Sequence, residues 1–188
     1  MRHEEPRGFG HLLPIATARL ALRPFELADG PALYALHSDP EVTRYAGGLK
    51  NRAESDAILR RLIQRLEGTG FGLLAVEDKD SKLVIGWCGV QQMRHLDGYE
   101  VIYALRQDRW GQGLALEASL AILEHAFGVD GLDGVHGLVF PENVRSIRVL
   151  EKLGMSYVSS VLDSETKKRA SVYRVGRSDF LSHLSSSK

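Results

Sequence analysis

Cysteine is almost absent: Cys88 is the only one in 188 residues, which excludes an intrachain disulfide and any paired-cysteine metal or redox motif. That usage fits a reducing compartment, and a cytoplasmic location is expected. Charge of one sign is missing as well. Lys plus Arg and Asp plus Glu number 24 each, so no overall field draws phosphate backbones or anionic membranes, and nucleic acid is not an expected partner. No apolar run approaches the roughly 18–20 residues of a membrane span. The seven histidines are dispersed without HxH or HExxH spacing, so no metal site is expected. There is no GxSxG elbow, which argues against a serine hydrolase.

Repeats, low-complexity blocks and Pro/Gly linkers are lacking too. One domain over residues 15–180 is therefore expected, with a flexible arm over 1–14 and a tail over 181–188. What is present is 44% apolar and 26% charged residues, ordinary for a globular domain with a full core.

Arg19 to Arg23 alternates polar and apolar as a half-buried strand does, and Pro24 ends it. Asp29 is placed to cap a short helix carrying Pro31 in its first turn, stopped by Ser38-Asp39-Pro40. Asn51 with Glu54 resembles a capping box, and behind it Ile58, Leu59, Leu62, Ile63 and Leu66 repeat at helical spacing up to Gly68. Strands follow over 71–77, 82–92 and 98–105, the first two joined by a turn at 78–81. A helix over about 114–127, a strand over 135–140, a helix after Asn143 and a closing hairpin over 157–175 complete the chain. This order implies a mixed sheet flanked by helices, an α/β (α+β) class. Cys88 lies in an apolar strand, where a small core residue is expected.

Arg109-Trp110-Gly111-Gln112-Gly113-Leu114-Ala115 stands at a strand-to-helix junction. Small residues there let backbone N–H groups converge on an anion, and the helix dipole adds partial positive charge. Phosphate or pyrophosphate is the natural guest, although glycines also serve as plain turn residues. The segment is neither GxxxxGK[ST] nor GxGxxG, which disfavours a P-loop or a dinucleotide fold.

This segment resembles the acetyl-CoA pyrophosphate loop of the GNAT acetyltransferases, Gly113-Leu114-Ala115 matching the end of Gln/Arg-x-x-Gly-x-Gly/Ala. Trp110 departs from the first motif position. Trp-Gly-x-Gly-x-Ala-x-Glu-Ala is nevertheless similar to the RimJ/RimL-like branch that acetylates ribosomal-protein N-termini. Thr17 to Pro24, Ser38 to Val42, and Asn143-Val-Arg-Ser146 with Glu151-Lys152-Leu153-Gly154-Met155 resemble further segments of that branch, in order, over about residues 15–176.

The resemblance implies a mostly antiparallel sheet of six to seven strands with about four helices, splayed between the fourth and fifth strands, 100–105 and 135–140. It implies that pantetheine pairs with backbone from Tyr103 to Leu105, that the pyrophosphate meets Trp110, Gly111, Gln112, Gly113, Leu114 and Ala115, and that Asn143 holds the cofactor arm, alongside a capping role. The implied reaction is direct attack of an amine on the thioester of acetyl-CoA, without metal. Glu100 is the candidate base or else an exposed strand carboxylate. Many members carry a Tyr acid where this chain has Leu150; Ser146 is the replacement, as a hydrogen bond to the leaving thiolate or as a packing residue. The implied acceptor is a small amine or a protein N-terminus, and dimers are common in the family, so a homodimer is possible. The alternative is a non-catalytic CoA-binding regulatory module of the same fold.

Overall fold

Local signals set the first helices of the computed structural model, which describes residues 13–93, 97–163 and 166–186. Two short strands, β1 (Ile15–Ala16) and β2 (Leu20–Arg23), precede α1 (Gly30–His37) and α2 (Pro40–Thr43). Asp39 caps α2, accepting from the N–H groups of Glu41 at 2.8 Å and Val42 at 3.3 Å. α3 (Arg52–Thr69) opens on the expected capping box: Glu54 N–H donates to Asn51 Oδ1 at 3.0 Å and Asn51 N–H to Glu54 Oε2 at 2.7 Å. It runs past Gly68 and ends at Gly70, whose φ of 71° is left-handed.

Asp29 departs from expectation. It stands before α1, but its carboxylate caps no N–H of that helix. Instead it takes the guanidinium of Arg23 through two bonds of 2.8 and 2.9 Å, and the N–H of Glu26 at 2.8 Å. Burial alone raises its pKa, but these partners outweigh burial and hold the carboxyl below its usual range.

β3 (Gly72–Asp78), β4 (Val84–Gln92) and β5 (Tyr99–Leu105) form an antiparallel meander, with Asp78 Oδ1 closing the first turn on the N–H groups of Asp80 and Ser81. α4 (Leu114–Gly128), β6 (Gly134–Val139), α5 (Val144–Lys152), β7 (Ser156–Leu162), β8 (Arg169–Gly176) and α6 (Arg177–Ser186) follow. The sheet order is β1-β2-β3-β4-β5-β6-β8-β7. Among the described residues there are thus eight strands and six helices, against six to seven and about four expected. β1 is a two-residue addition at the sheet edge. α6 occupies part of the segment read as a tail: Phe180 is fully buried, its ring 5.0 Å from that of Phe127. The arm expected over 1–14 lies almost wholly outside the described residues.

Two apolar clusters flank the sheet. One sets α4, α5 and α6 against Leu22, Leu74, Cys88, Val101 and Leu105. The other sets α1 to α3 against Ala75, Val84 and Trp87. Among the described residues no helix is long and apolar enough to cross a membrane.

Candidate active site

β5 and β6 run parallel but pair only at Tyr99↔Val135 and Glu100↔His136. Beyond that point both continue, to Leu105 and Val139, without pairing. The sheet is therefore split where expected, and a cleft of about 1410 Å³ fills the split.

The exposed edge of β5 is polar. Arg106 N–H bonds Ile85 O at 2.8 Å across the β4–β5 ladder. The alternation of an antiparallel pair then turns the N–H and C=O groups of Leu105, Tyr103 and Val101 away from β4, into the split. The Leu105 carbonyl is already engaged: it accepts from Trp110 Nε1–H at 2.8 Å. Trp110 also lies under the Arg145 guanidinium, 5.0 Å from its ring centre. The residue that broke the loop motif thus ties β5 to α5. Trp110→Phe keeps the ring packing and removes the N–H, and is expected to cost about 1 kcal/mol. In thermal unfolding that corresponds to a Tm lower by roughly 2–4 °C.

At the wide end of the split lies the glycine loop. Gly111 and Gly113 have φ of 74° and 78°, a region that costs an L-residue strain. Trp110 N–H bonds Gln107 O at 3.1 Å and Glu117 N–H bonds Gly113 O at 3.0 Å. Between them the N–H groups of residues 111 to 116 donate to no acceptor among the described residues. They sit at the positive end of a 15-residue helix. Trp110, Gly111, Gly113, Leu114 and Ala115 line the cleft. Gln112 does not: its side chain donates to Asp108 O at 3.0 Å.

Glu117 fastens this loop to the turn between β1 and β2. It accepts from Thr17 Oγ1 at 2.6 Å, Arg19 N–H at 2.8 Å and Arg19 Nε at 2.7 Å, while Arg19 also donates to Gln112 O at 2.9 Å. Burial raises its pKa, but these donors prevail and hold the carboxyl low. Glu117 was legible as a motif letter, but its partners, nearly a hundred residues earlier, were not.

The candidate catalytic residues fall on opposite faces of β5. Side chains alternate along a strand. Tyr103 packs with the cluster under α4, whereas Ile102 and Ala104 pack with the cluster of α1 to α3. Glu100 shares the parity of Ile102, and its Oε1 accepts from Gln91 Nε2 at 3.1 Å. On the other face the Tyr103 hydroxyl crosses to α5, 2.8 Å from Ser146 Oγ and 3.1 Å from Ser146 O. Burial raises the Tyr103 pKa despite the Ser146 hydrogen bond, so the phenol stays protonated at neutral pH.

Asn143 caps α5, its Oδ1 accepting from Ser146 N–H at 3.3 Å, and it lines the cleft. Leu150 is 2% exposed and packs so closely on β6 that a Cβ at Gly137 would lie 2.6 Å from it. It supplies apolar contact where many relatives carry a phenol. Cys88 is fully buried, and burial pushes its thiol up to about 12, which leaves it inert as a nucleophile.

Sequence reasoning missed Trp87, whose 6%-exposed side chain lines the cleft. Nothing in its apolar strand distinguishes it. The Tyr103–Ser146 bridge also escaped, because residues 43 apart meet only once the strand register and α5 are in place.

A family model described as "Acetyltransferase (GNAT) domain" matches residues 19–156. The chain is 34% identical over 160 residues to "Uncharacterized N-acetyltransferase p20" of Bacillus licheniformis, covering 81% of this chain and 87% of that protein. It is 33% identical over 150 residues to "Uncharacterized protein YkkB" of Bacillus subtilis (strain 168), covering 78% and 87%. The crystal structure of an acetyltransferase (GNAT family) from Bacillus anthracis superposes with a TM-score of 0.77 at 22% identity, covering 88% of this chain and 99% of that one.

Proposed function

The chain belongs to the GNAT family and is an acetyl-CoA-dependent acetyltransferase, and from that premise we propose that it moves the acetyl group onto a primary amine by direct attack. We assign it to the RimJ/RimL-like branch on the run Trp110 to Ala118 and on Asn143 with Ser146. The observation that carries the reading is the split between β5 and β6, with Glu100 on one face of β5 and the Tyr103–Ser146 pair on the other.

The residues present fit acetyl-CoA. Six successive unbonded N–H groups at a helix start suit a pyrophosphate. The turned-out backbone of Val101 and Tyr103 suits the amides of an extended pantetheine arm. Asn143, which lines the same cleft, is assigned to hold that arm.

Acetyl transfer forms an N–C bond and breaks the thioester C–S bond, and one amine proton finally resides on the departing sulfur. Glu100 takes the proton from the incoming ammonium, directly or through water. The Leu105 N–H, which faces the split, is our assignment for the donor to the developing oxyanion. Ser146 hydrogen-bonds the departing sulfur. Tyr103 has one proton to give; when it goes to Ser146 Oγ rather than Ser146 O, the Ser146 proton is released toward the cleft. Two faces of one strand thus divide the work, the amine arriving on one and the thiol leaving by the other.

Calorimetric titration of the full chain with acetyl-CoA, with ATP and NADH as controls, followed by thiol release with an amine panel, tests this reading. Selective binding and amine-dependent thiol release are expected. Binding without turnover on any amine would instead favour a regulatory CoA-binding module.

A further inference from the structure

We propose that the acceptor is a monoamine on an apolar, ring-sized body bearing a hydrogen-bond-accepting oxygen, and not a polycation. This rests on the amine reading above and narrows it to a substrate class.

The acceptor end of the cleft is the face of β5 that carries Glu100. Its walls are Trp87, Ile102 and Ala104 on one arm, Leu138 and Phe140 on the other, and Tyr45 from the loop after α2. Tyr45 and Phe140 come from separate elements, and their rings stand 6.1 Å apart with a tilt of 33°. Such spacing suits aromatic surfaces that also receive a third ring. Tyr45 is 37% exposed, an apolar surface left open at the entrance. Gly47 and Gly48, both with positive φ, follow it in the same loop and also line the cleft.

Trp87 supplies the second observation. Its indole N–H donates to no acceptor among the described residues and, although Trp87 as a whole is only 6% exposed, that nitrogen is not sealed from solvent. A donor reached by water and without a protein partner can exchange that water for an acceptor oxygen on a ligand. The ring is held from behind by His37, at 5.4 Å, whose Nδ1 is in turn bonded to the buried Ser55 Oγ at 2.9 Å. The accessible remainder of Trp87 opens on the cleft, where an oxygen of the acceptor can receive the N–H.

Charge argues against a polyamine or an aminoglycoside. The carboxylates that line the cleft are Glu41, Glu100, Glu142 and Asp163. Glu41 is matched by Arg44 at 3.6 Å, and Asp163 is engaged by the Thr166 N–H and hydroxyl, each at 2.6 Å. With Glu100 reserved for the reacting amine, Glu142 is the one of the four with no partner among the described residues, a single further anchor and not the array that several ammonium groups need.

The test is thiol release by the full chain, saturated with acetyl-CoA, across phenylalaninamide, phenethylamine, a tripeptide beginning with Phe, glycinamide and spermine. Phenylalaninamide or the Phe peptide is expected to exceed glycinamide and spermine at least tenfold in kcat/KM, and the better of the two identifies a free amine or a chain N-terminus as the source. Tyr45→Ala is expected to shrink the ratio of phenylalaninamide to glycinamide about tenfold. Trp87→Phe, which keeps a ring but no N–H, is expected to lower kcat/KM for phenylalaninamide several-fold more than for phenethylamine, which has no oxygen. Spermine or glycinamide as the best acceptor, or ratios indifferent to Tyr45→Ala, would overturn this proposal and leave amine acetylation standing. No turnover with any amine would remove both readings together.

Discussion

Glu100→Gln is expected to lower kcat by about 10²- to 10⁴-fold, the usual worth of a positioned general base. Acetyl-CoA affinity should stay within about twofold of the parent. Gln matches the carboxylate in size, and its carbonyl oxygen can still accept from Gln91 Nε2, as Glu100 Oε1 does at 3.1 Å. What is lost is the capacity to take a proton. Amines arrive largely protonated at neutral pH, so the variant should recover part of its rate as the solution pH rises and free amine accumulates. The parent should show no such steep recovery. Ser146→Ala acts on the other face of β5 and is expected to cost less, about tenfold, because it removes a hydrogen bond and not the proton acceptor. Steady-state thiol release, with calorimetry on the same samples, separates the two. A Glu100→Gln enzyme with undiminished kcat would make Glu100 a strand carboxylate that steadies Gln91, with solvent taking the proton.

That pairing of faces explains how much of the site was legible beforehand. Local chemistry could be read directly. The Asn51–Glu54 box and the glycine turn that opens α4 need only neighbours within a few residues, and both form as the side-chain types dictate. The split in the sheet followed from the resemblance and stands where that placed it. Features built from distant partners could not be read. Asp29 looks like a cap until β2 delivers Arg23 beside it. Trp110 looks like a broken motif until its N–H reaches Leu105 O and Arg145 covers its ring.

The three elements that sequence periodicity missed are those with almost no periodicity to show, and α2, four residues begun at Pro40, is a single turn. β1 has two residues, too few to alternate. α6 is held by one fully buried aromatic, Phe180, in a stretch rich in serine. Phe180 with only the half-buried Leu184 behind it makes too short a 3.6-residue pattern to stand out, and serines read as a fraying end.

Gly113→Val is expected to weaken acetyl-CoA binding by about ten- to a hundredfold. The cause is conformational. A Cβ at Gly113 would find nothing nearer than an Arg19 guanidinium nitrogen at 3.7 Å, an ordinary contact. The φ of 78° is the obstacle, since a β-branched residue there carries about 1–3 kcal/mol of strain. Relief comes by rotating the residue out of the left-handed region, which redirects the N–H groups at the start of α4. At 1.4 kcal/mol per factor of ten, that strain matches the expected loss if it falls on the bound state. Part will fall on folding instead, so Tm should drop as well. Gly113→Asn, whose side chain tolerates left-handed backbone, should retain most of the affinity. Gly68→Ala, in α3 with open space around its Cβ position, should bind like the parent. Calorimetry on the three variants reads the order directly. Wild-type affinity in Gly113→Val would mean that the six N–H groups do not hold the phosphates, and the loop would then be only the cap that starts α4.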